Sequence, residues 1–134
     1  GKGFSFCGRQ VEIVVSGTSY RIDMLFYHIR LKCYVVVELK THTFQPEYAG
    51  KLNFYVTAVD KLLKQEEDNP TIGLLICKTK DETKVEWAFN GLNKPLGVAA
   101  YELNTIIPQE IVSKLPTIEE VEQGLNKVDS PNQK

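Results

Sequence analysis

Apolar and polar residues alternate along the first third of the chain, and the pattern then changes period. From Gln10 to Ser16 the polarity switches residue by residue before an apolar pair, and Gly17-Thr18 follows as a turn. Tyr20 to His28 alternates again, which predicts a strand with Tyr20, Ile22, Met24 and Phe26 on one face and Arg21, Asp23, Leu25 and Tyr27 on the other. Leu31 to Lys40 reads as a third strand, its β-branched centre typical of a buried one. Short turns separate the three, so an antiparallel meander is expected.

Beyond Pro46 the apolar residues fall at helical spacing. Leu52, Tyr55, Val56, Val59, Leu62 and Leu63 form a stripe that predicts a helix from Pro46 to about Gln65, stopped by Asp68-Asn69-Pro70. Pro46 suits a first turn, where its missing N–H costs nothing. Thr71 to Cys77 reads as a short apolar strand, Glu82 to Asn90 as a second helix facing inward with Val85, Ala88 and Phe89, and Gly97 to Leu103 as a fifth strand. Short helices follow near Pro108–Leu115 and from Thr117 to about Leu125, where Thr117 and Glu120 have the form of a capping box. The result is a β-β-β-α-β-α-β core with short C-terminal helices, an α/β arrangement around one mixed sheet. The crossover makes the third and fourth strands parallel. A single domain over residues 1–128 and a disordered tail over 129–134 are expected.

Composition agrees with one ordinary globular domain: 134 residues, 43% hydrophobic and 25% charged. No apolar run approaches the roughly 20 residues that a bilayer span needs, and there is no apolar leader, so no membrane partner is expected. Cys7, Cys33 and Cys77 are widely spaced and contain no paired metal-ligand motif. Cys33 and Cys77 read as core thiols in a reducing, cytoplasmic setting. His28 and His42 are isolated and read as turn or surface residues. The net charge of −1 speaks against a nucleic-acid binder. Yet residues 1–80 hold eleven Lys/Arg against eight Asp/Glu, whereas residues 81–134 hold five against nine. A mildly basic body is therefore masked by an acidic tail.

Asp23, Glu38 and Lys40 are the charges that interrupt otherwise apolar strands. Glu38 and Lys40 are two apart and share a face. A turn centred near Arg30-Leu31 sets Asp23 opposite Glu38. Two carboxylates on adjacent strands repel unless a cation lies between them, and hard oxygen ligands suit Mg²⁺ or Mn²⁺. Lys40 beside them can orient or deprotonate a water and stabilise developing phosphorane charge. The alternative is that both carboxylates are solvated, with Lys40 as their surface partner.

Asp23…Glu38-Leu39-Lys40 resembles the motif of the PD-(D/E)XK nucleases. The stretches Phe6-Cys7-Gly8-Arg9-Gln10, Ile22-Asp23-Met24-Leu25-Phe26-Tyr27-His28, Val37-Glu38-Leu39-Lys40 and Pro46-Glu47-Tyr48-Ala49-Gly50-Lys51-Leu52-Asn53-Phe54-Tyr55 are similar to the YhcG-type family of these domains. The likeness extends through Asp68-Asn69-Pro70, Gly91-Leu92-Asn93-Lys94-Pro95 and Leu115-Pro116-Thr117-Ile118-Glu119-Glu120. It implies a restriction-endonuclease-like, three-layer α/β/α fold with a five-stranded mixed sheet. It further implies Asp23, Glu38 and the Leu39 carbonyl as metal ligands and Lys40 as the catalytic lysine. Related nucleases often carry Gln-x-x-x-Tyr on the helix after the third strand; Lys51 and Tyr55 fall at that spacing, with Glu47 on the same face and Arg9 as a weaker candidate. The first core helix that usually precedes the sheet is missing. With no initiator Met, the chain reads as part of a longer protein whose N-terminal region serves recognition.

The function expected on these grounds is Mg²⁺-dependent hydrolysis of phosphodiester bonds in DNA. The alternative is a catalytically inactive nucleic-acid-binding or protein-interaction module that retains the fold, or a structural subunit of a larger complex. The aromatics Tyr48, Phe54 and Tyr55 exceed what one helix face needs and suggest a homodimer surface.

Overall fold

The computed structural model describes residues 3–101. Its elements run β1 (Phe4–Val15), β2 (Thr18–His28), β3 (Cys33–Leu39), α1 (Glu47–Leu62), β4 (Ile72–Cys77), α2 (Glu82–Phe89) and β5 (Leu96–Ala100). The five strands form one sheet in sequence order, antiparallel from β1 to β3 and parallel from β3 to β5. This is the expected meander followed by two crossovers. The expected helices near Pro108–Leu115 and Thr117–Leu125, the end of the fifth strand at 102–103 and the 129–134 tail lie outside the described residues.

Both crossovers move the same way across the sheet, so right-handed connections set both helices on one face. Leu52, Tyr55, Val56 and Val59 of α1 pack there with Ile13, Ile22, Leu25, Val36 and Leu75, and Val85, Ala88 and Phe89 of α2 join them. The other face is lined by Met24, Phe26, Cys33, Val35, Val37 and Leu74. Among the described residues no helix residue belongs to that second cluster. α2 contributes only partly buried side chains, and its Trp87 stays 75% exposed. No helix among the described residues is long and apolar enough to cross a membrane.

The structure corrects two expectations about the first hairpin. β1 begins at Phe4 and not at Gln10. A bulge between Phe6 and Gly8 leaves Cys7 without a partner, and this breaks the alternation that would have advertised the strand. The faces of β2 also differ from a simple period of two. Tyr20 and Ile22 pack toward α1, whereas Met24 and Phe26 face the opposite side. β1 switches with it: Val11, Ile13 and Val15 lie on the α1 side, Phe4 and Phe6 on the other. The exchange falls between the pairs Val11↔Ile22 and Arg9↔Met24, at the position where Gln10 and Asp23 stand opposite one another. Gln10 has φ 48°, the left-handed conformation that a side chain resists, and this turns the strand. The hairpin therefore has a corner, and Asp23 sits in it.

Two ties hold the far end of the sheet. Tyr27 Oη donates to Asp68 Oδ1 at 2.6 Å, and the other Asp68 oxygen accepts from the Gln65 N–H at 2.9 Å, fixing the turn after α1 to β2. That bond pushes the Tyr27 hydroxyl up to about 12. Asp60 on α1 accepts from the Thr71 N–H at 3.0 Å and pairs with Lys94 at 3.5 Å. His28 is buried, and its Nδ1 accepts from the Leu31 N–H at 3.0 Å, which closes the β2–β3 turn. Cys33 and Cys77 are buried thiols, as expected, and Cys7 is exposed.

Helix and sheet meet most closely at Gly73. A Cβ there would lie 2.6 Å from Val56 Cγ2, 2.8 Å from Leu96 Cδ2 and 3.1 Å from Leu52 Cγ, and Val56 and Leu52 are fully buried. Gly73→Ala should destabilise the domain by roughly 1–3 kcal/mol through overpacking. Gly50 lies within α1 with nothing within 4 Å of an added Cβ, so Gly50→Ala should stabilise by about 0.5–1 kcal/mol. Urea denaturation followed by far-UV circular dichroism checks both. Equal shifts of the midpoint in the same direction would refute this account of the packing.

Candidate active site

β3 carries its apolar run to Val37 and then presents Glu38, Leu39 and Lys40. On one side it stays pinned to β4 by the pairs Glu38↔Leu75 and Leu39↔Ile76, and the Lys40 N–H donates to the Ile76 carbonyl at 2.8 Å. On the other side the ladder to β2 ends at Met24↔Val37. One step further, Asp23 and Glu38 stand opposite each other in the expected register, but side chains replace the backbone ladder. The Asp23 N–H donates to Glu38 Oε2 at 2.8 Å, and the Leu39 N–H donates to Asp23 Oδ2 at 2.9 Å. The two strands split at the carboxyl end of β3, and each carboxylate bridges the gap to the other strand's backbone. Ligands of open α/β sheets commonly bind at such carboxyl ends.

Burial separates the two acids. Glu38 is 2% exposed, whereas Asp23 is half-buried. Glu38 Oε1 is buried and finds no hydrogen-bond partner among the described residues. Burial pushes the Glu38 carboxyl up to about 7, and the nearby Asp23 charge adds to this; the Asp23 N–H, Lys51 and Lys40 pull the other way without restoring the ordinary range. A buried carboxylate oxygen without a donor is an unfinished coordination, and a cation would complete it.

The remaining candidates surround this split unequally. Lys40 Nζ lies 5.1 Å from the centre of the Tyr48 ring, and Lys51 Nζ lies 5.5 Å from that of Tyr55. Burial alone would lower the Lys51 ammonium, but Tyr55, Glu38 and Asp23 outweigh it and hold it above its ordinary value. Tyr55 is 4% exposed, and its hydroxyl is raised by burial and by Glu38 against the opposing pull of Lys51. Lys51 and Tyr55 thus lie within electrostatic reach of the acids. Glu47 is exposed in the first turn of α1, where it complements the helix dipole, and it enters none of the hydrogen bonds that join Asp23, Glu38 and Leu39. Arg9 is exposed on β1, paired across to Met24. Leu39 is 47% exposed. Of the three helix aromatics, Tyr48 packs on Phe44 and beneath Lys40, Tyr55 is buried, and Phe54 leans on Tyr20 at 4.9 Å.

The sequence marks Gln10 as the start of a strand and as part of a stretch similar to the family, with no site role. Its Nε2 donates to Asp23 Oδ1 at 3.2 Å. The signal that could have found it is the polar run Gly8-Arg9-Gln10 in the middle of an otherwise apolar strand.

Among the described residues Asp23 and Glu38 are the acids in the split, and no group of three His, Cys, Asp or Glu could hold a metal. A cation here would need other oxygens: a backbone carbonyl, water or the substrate's own phosphate. The two acids and the orphaned Glu38 Oε1 fit such a hard, partly hydrated ion, and the adjacent lysines suit the anionic oxygens of a phosphate beside it.

The family model of the YhcG PDDEXK nuclease domain matches residues 1–116. Over 110 residues the chain is 34% identical to an Escherichia coli (strain K12) protein named "Putative nuclease YhcG", covering 82% of this chain and 29% of that protein. The chain therefore spans less than a third of that relative's length. Its fold is similar to the crystal structure of a repair endonuclease from Pyrococcus abyssi, with a TM-score of 0.51 at 16% identity over 74% of this chain and 38% of that one.

The buried acid makes stability depend on pH in a definite direction. Glu38 titrates near 7 in the folded chain against an ordinary 4.5, so the fold favours its neutral form. Its contribution is complete below about pH 4.5 and is lost as pH rises through 7, by about 3 kcal/mol. In metal-free protein, Glu38→Gln should match wild type near pH 4.5 and exceed its stability at pH 9. Urea midpoints at the two pH values measure this, and a difference independent of pH would exclude a buried, neutral Glu38.

Proposed function

Because this chain belongs to the YhcG PDDEXK nuclease domain family, we propose that it hydrolyses phosphodiester bonds of DNA with a divalent cation, Mg²⁺ or Mn²⁺. The observation that carries this reading is the buried Oε1 of Glu38, without a partner among the described residues, beside the Asp23 carboxylate. Asp23, Glu38 and the Leu39 carbonyl would hold the ion. Bound there, it would supply Lewis-acid neutralisation of the scissile phosphate.

The chain's own groups do the rest. Glu38 and Asp23, fixed to opposite strands through backbone N–H groups, keep their oxygens in one place as the ion and substrate arrive. Lys40, anchored by its backbone to β4, would turn its ammonium to the attacking water and to the phosphoryl oxygens that gain charge. Lys51 lies on α1, close to Glu38, Asp23 and Lys40. It adds a second positive charge where a neutral Gln is common in related nucleases, and it serves as a phosphate contact. The basic excess of residues 1–80 supports an anionic substrate for the same body.

Cleavage of supercoiled plasmid and of single-stranded DNA, with Mg²⁺ or Mn²⁺ and with chelator, tests the proposal. Asp23→Ala, Glu38→Ala and Lys40→Ala should each lower the rate by roughly 10²-fold or more. Lys51→Ala should raise KM more than it lowers kcat. Wild-type rates in all three site variants would refute the site. No cation binding by titration, with DNA still bound, would favour the inactive binding module.

A further inference from the structure

The corner of the first hairpin and the acid it presents are built by the same residue. Gln10 lies directly opposite Asp23, between the pairs Arg9↔Met24 and Val11↔Ile22, where both strands exchange faces. Its backbone holds φ 48°, and its carbonyl accepts from Arg21 Nη1 at 3.3 Å. Its side-chain amide donates to Asp23 Oδ1 at 3.2 Å, while Asp23 Oδ2 accepts from the Leu39 N–H at 2.9 Å. The Asp23 carboxylate is thus held between one donor on β1 and one on β3.

We propose that Gln10 is a positioning residue for the site: its backbone turns the hairpin so that Asp23 reaches the split, and its amide locks the carboxylate there for a divalent cation. The inference rests on the metal-dependent reading of the site given above. Two physical points support it. Glycine would adopt φ 48° without strain, so a strained position that carries a long side chain has a use for that side chain. A neutral amide is also the suitable donor. It orients the carboxylate without neutralising it, whereas a Lys or Arg would compete with the cation for its charge and a Glu would repel it. Donors behind the ligands commonly set metal affinity in this way.

Mn²⁺ titration of the whole chain tests the proposal, followed by calorimetry and by loss of the free-ion electron paramagnetic resonance signal, with stability measured in parallel by urea denaturation. Gln10→Met keeps side-chain length and backbone strain but removes the donor. Gln10→Gly removes the donor and relieves the strain. Both should bind Mn²⁺ about tenfold or more weakly, although the Gly variant is at least as stable as the wild type and the Met variant is not. A Met variant that binds Mn²⁺ like wild type overturns the proposal, and so does an affinity that follows stability across the two variants. Wild type that binds no Mn²⁺ overturns this inference together with the proposed function. Wild type that binds, beside variants that bind equally well, overturns this inference alone.

Discussion

A carboxylate sealed at the end of an apolar strand is the condition on which the rest of this domain is arranged. Glu38 cannot ionise cheaply where it lies, and it cannot leave, because β4 pairs with its backbone on one side. Its one satisfied oxygen is held by the Asp23 N–H, which is available only because the β2–β3 ladder stops one step earlier. The split in the sheet, the charge state of the acid and the placement of the second acid are one arrangement. Lys40 and Lys51 rest over the rings of Tyr48 and Tyr55 and bring positive charge to the pair.

The scaffold keeps that arrangement rigid from behind. The crossovers place α1 across the sheet, and Gly73 lets the helix approach so closely that Leu52 and Val56 are excluded from water. Lys51 and Tyr55 ride on the same helix, so the distance between sheet and helix also sets how near they come to Glu38. A packing detail at one glycine therefore bears on the electrostatics of the split. Beyond the sheet, the Phe44 N–H donates to the Thr79 carbonyl and the Lys78 N–H to the His42 carbonyl, joining the segments that leave β3 and β4.

Much of this was readable from residue order because it depends on local periods. The β-branched run before Glu38, the helical stripe from Leu52 to Leu63 and the short turn that sets Asp23 opposite Glu38 are all short-range patterns. The spacing of Lys51 and Tyr55 is equally local. What stayed hidden depends on departures from those periods. An alternating pattern carries its assignment of faces through every residue, so it could not register that Tyr20 and Ile22 look one way while Met24 and Phe26 look the other. The bulge at Cys7 concealed half of β1 for the same reason. The role of Gln10 is not legible because its contact with Asp23 depends on a backbone angle, and Glu47 reads as a candidate because helical spacing does not say how far a side chain lies from the sheet.

The exposed Trp87 has a practical consequence of its own. It is the only tryptophan in the sequence, and three-quarters of its surface already meets water in the folded chain. Tryptophan emission will therefore change little when the core comes apart. The same indole is open to quenching by anything that settles on α2, which makes its emission a reporter of contacts at the surface and not of unfolding.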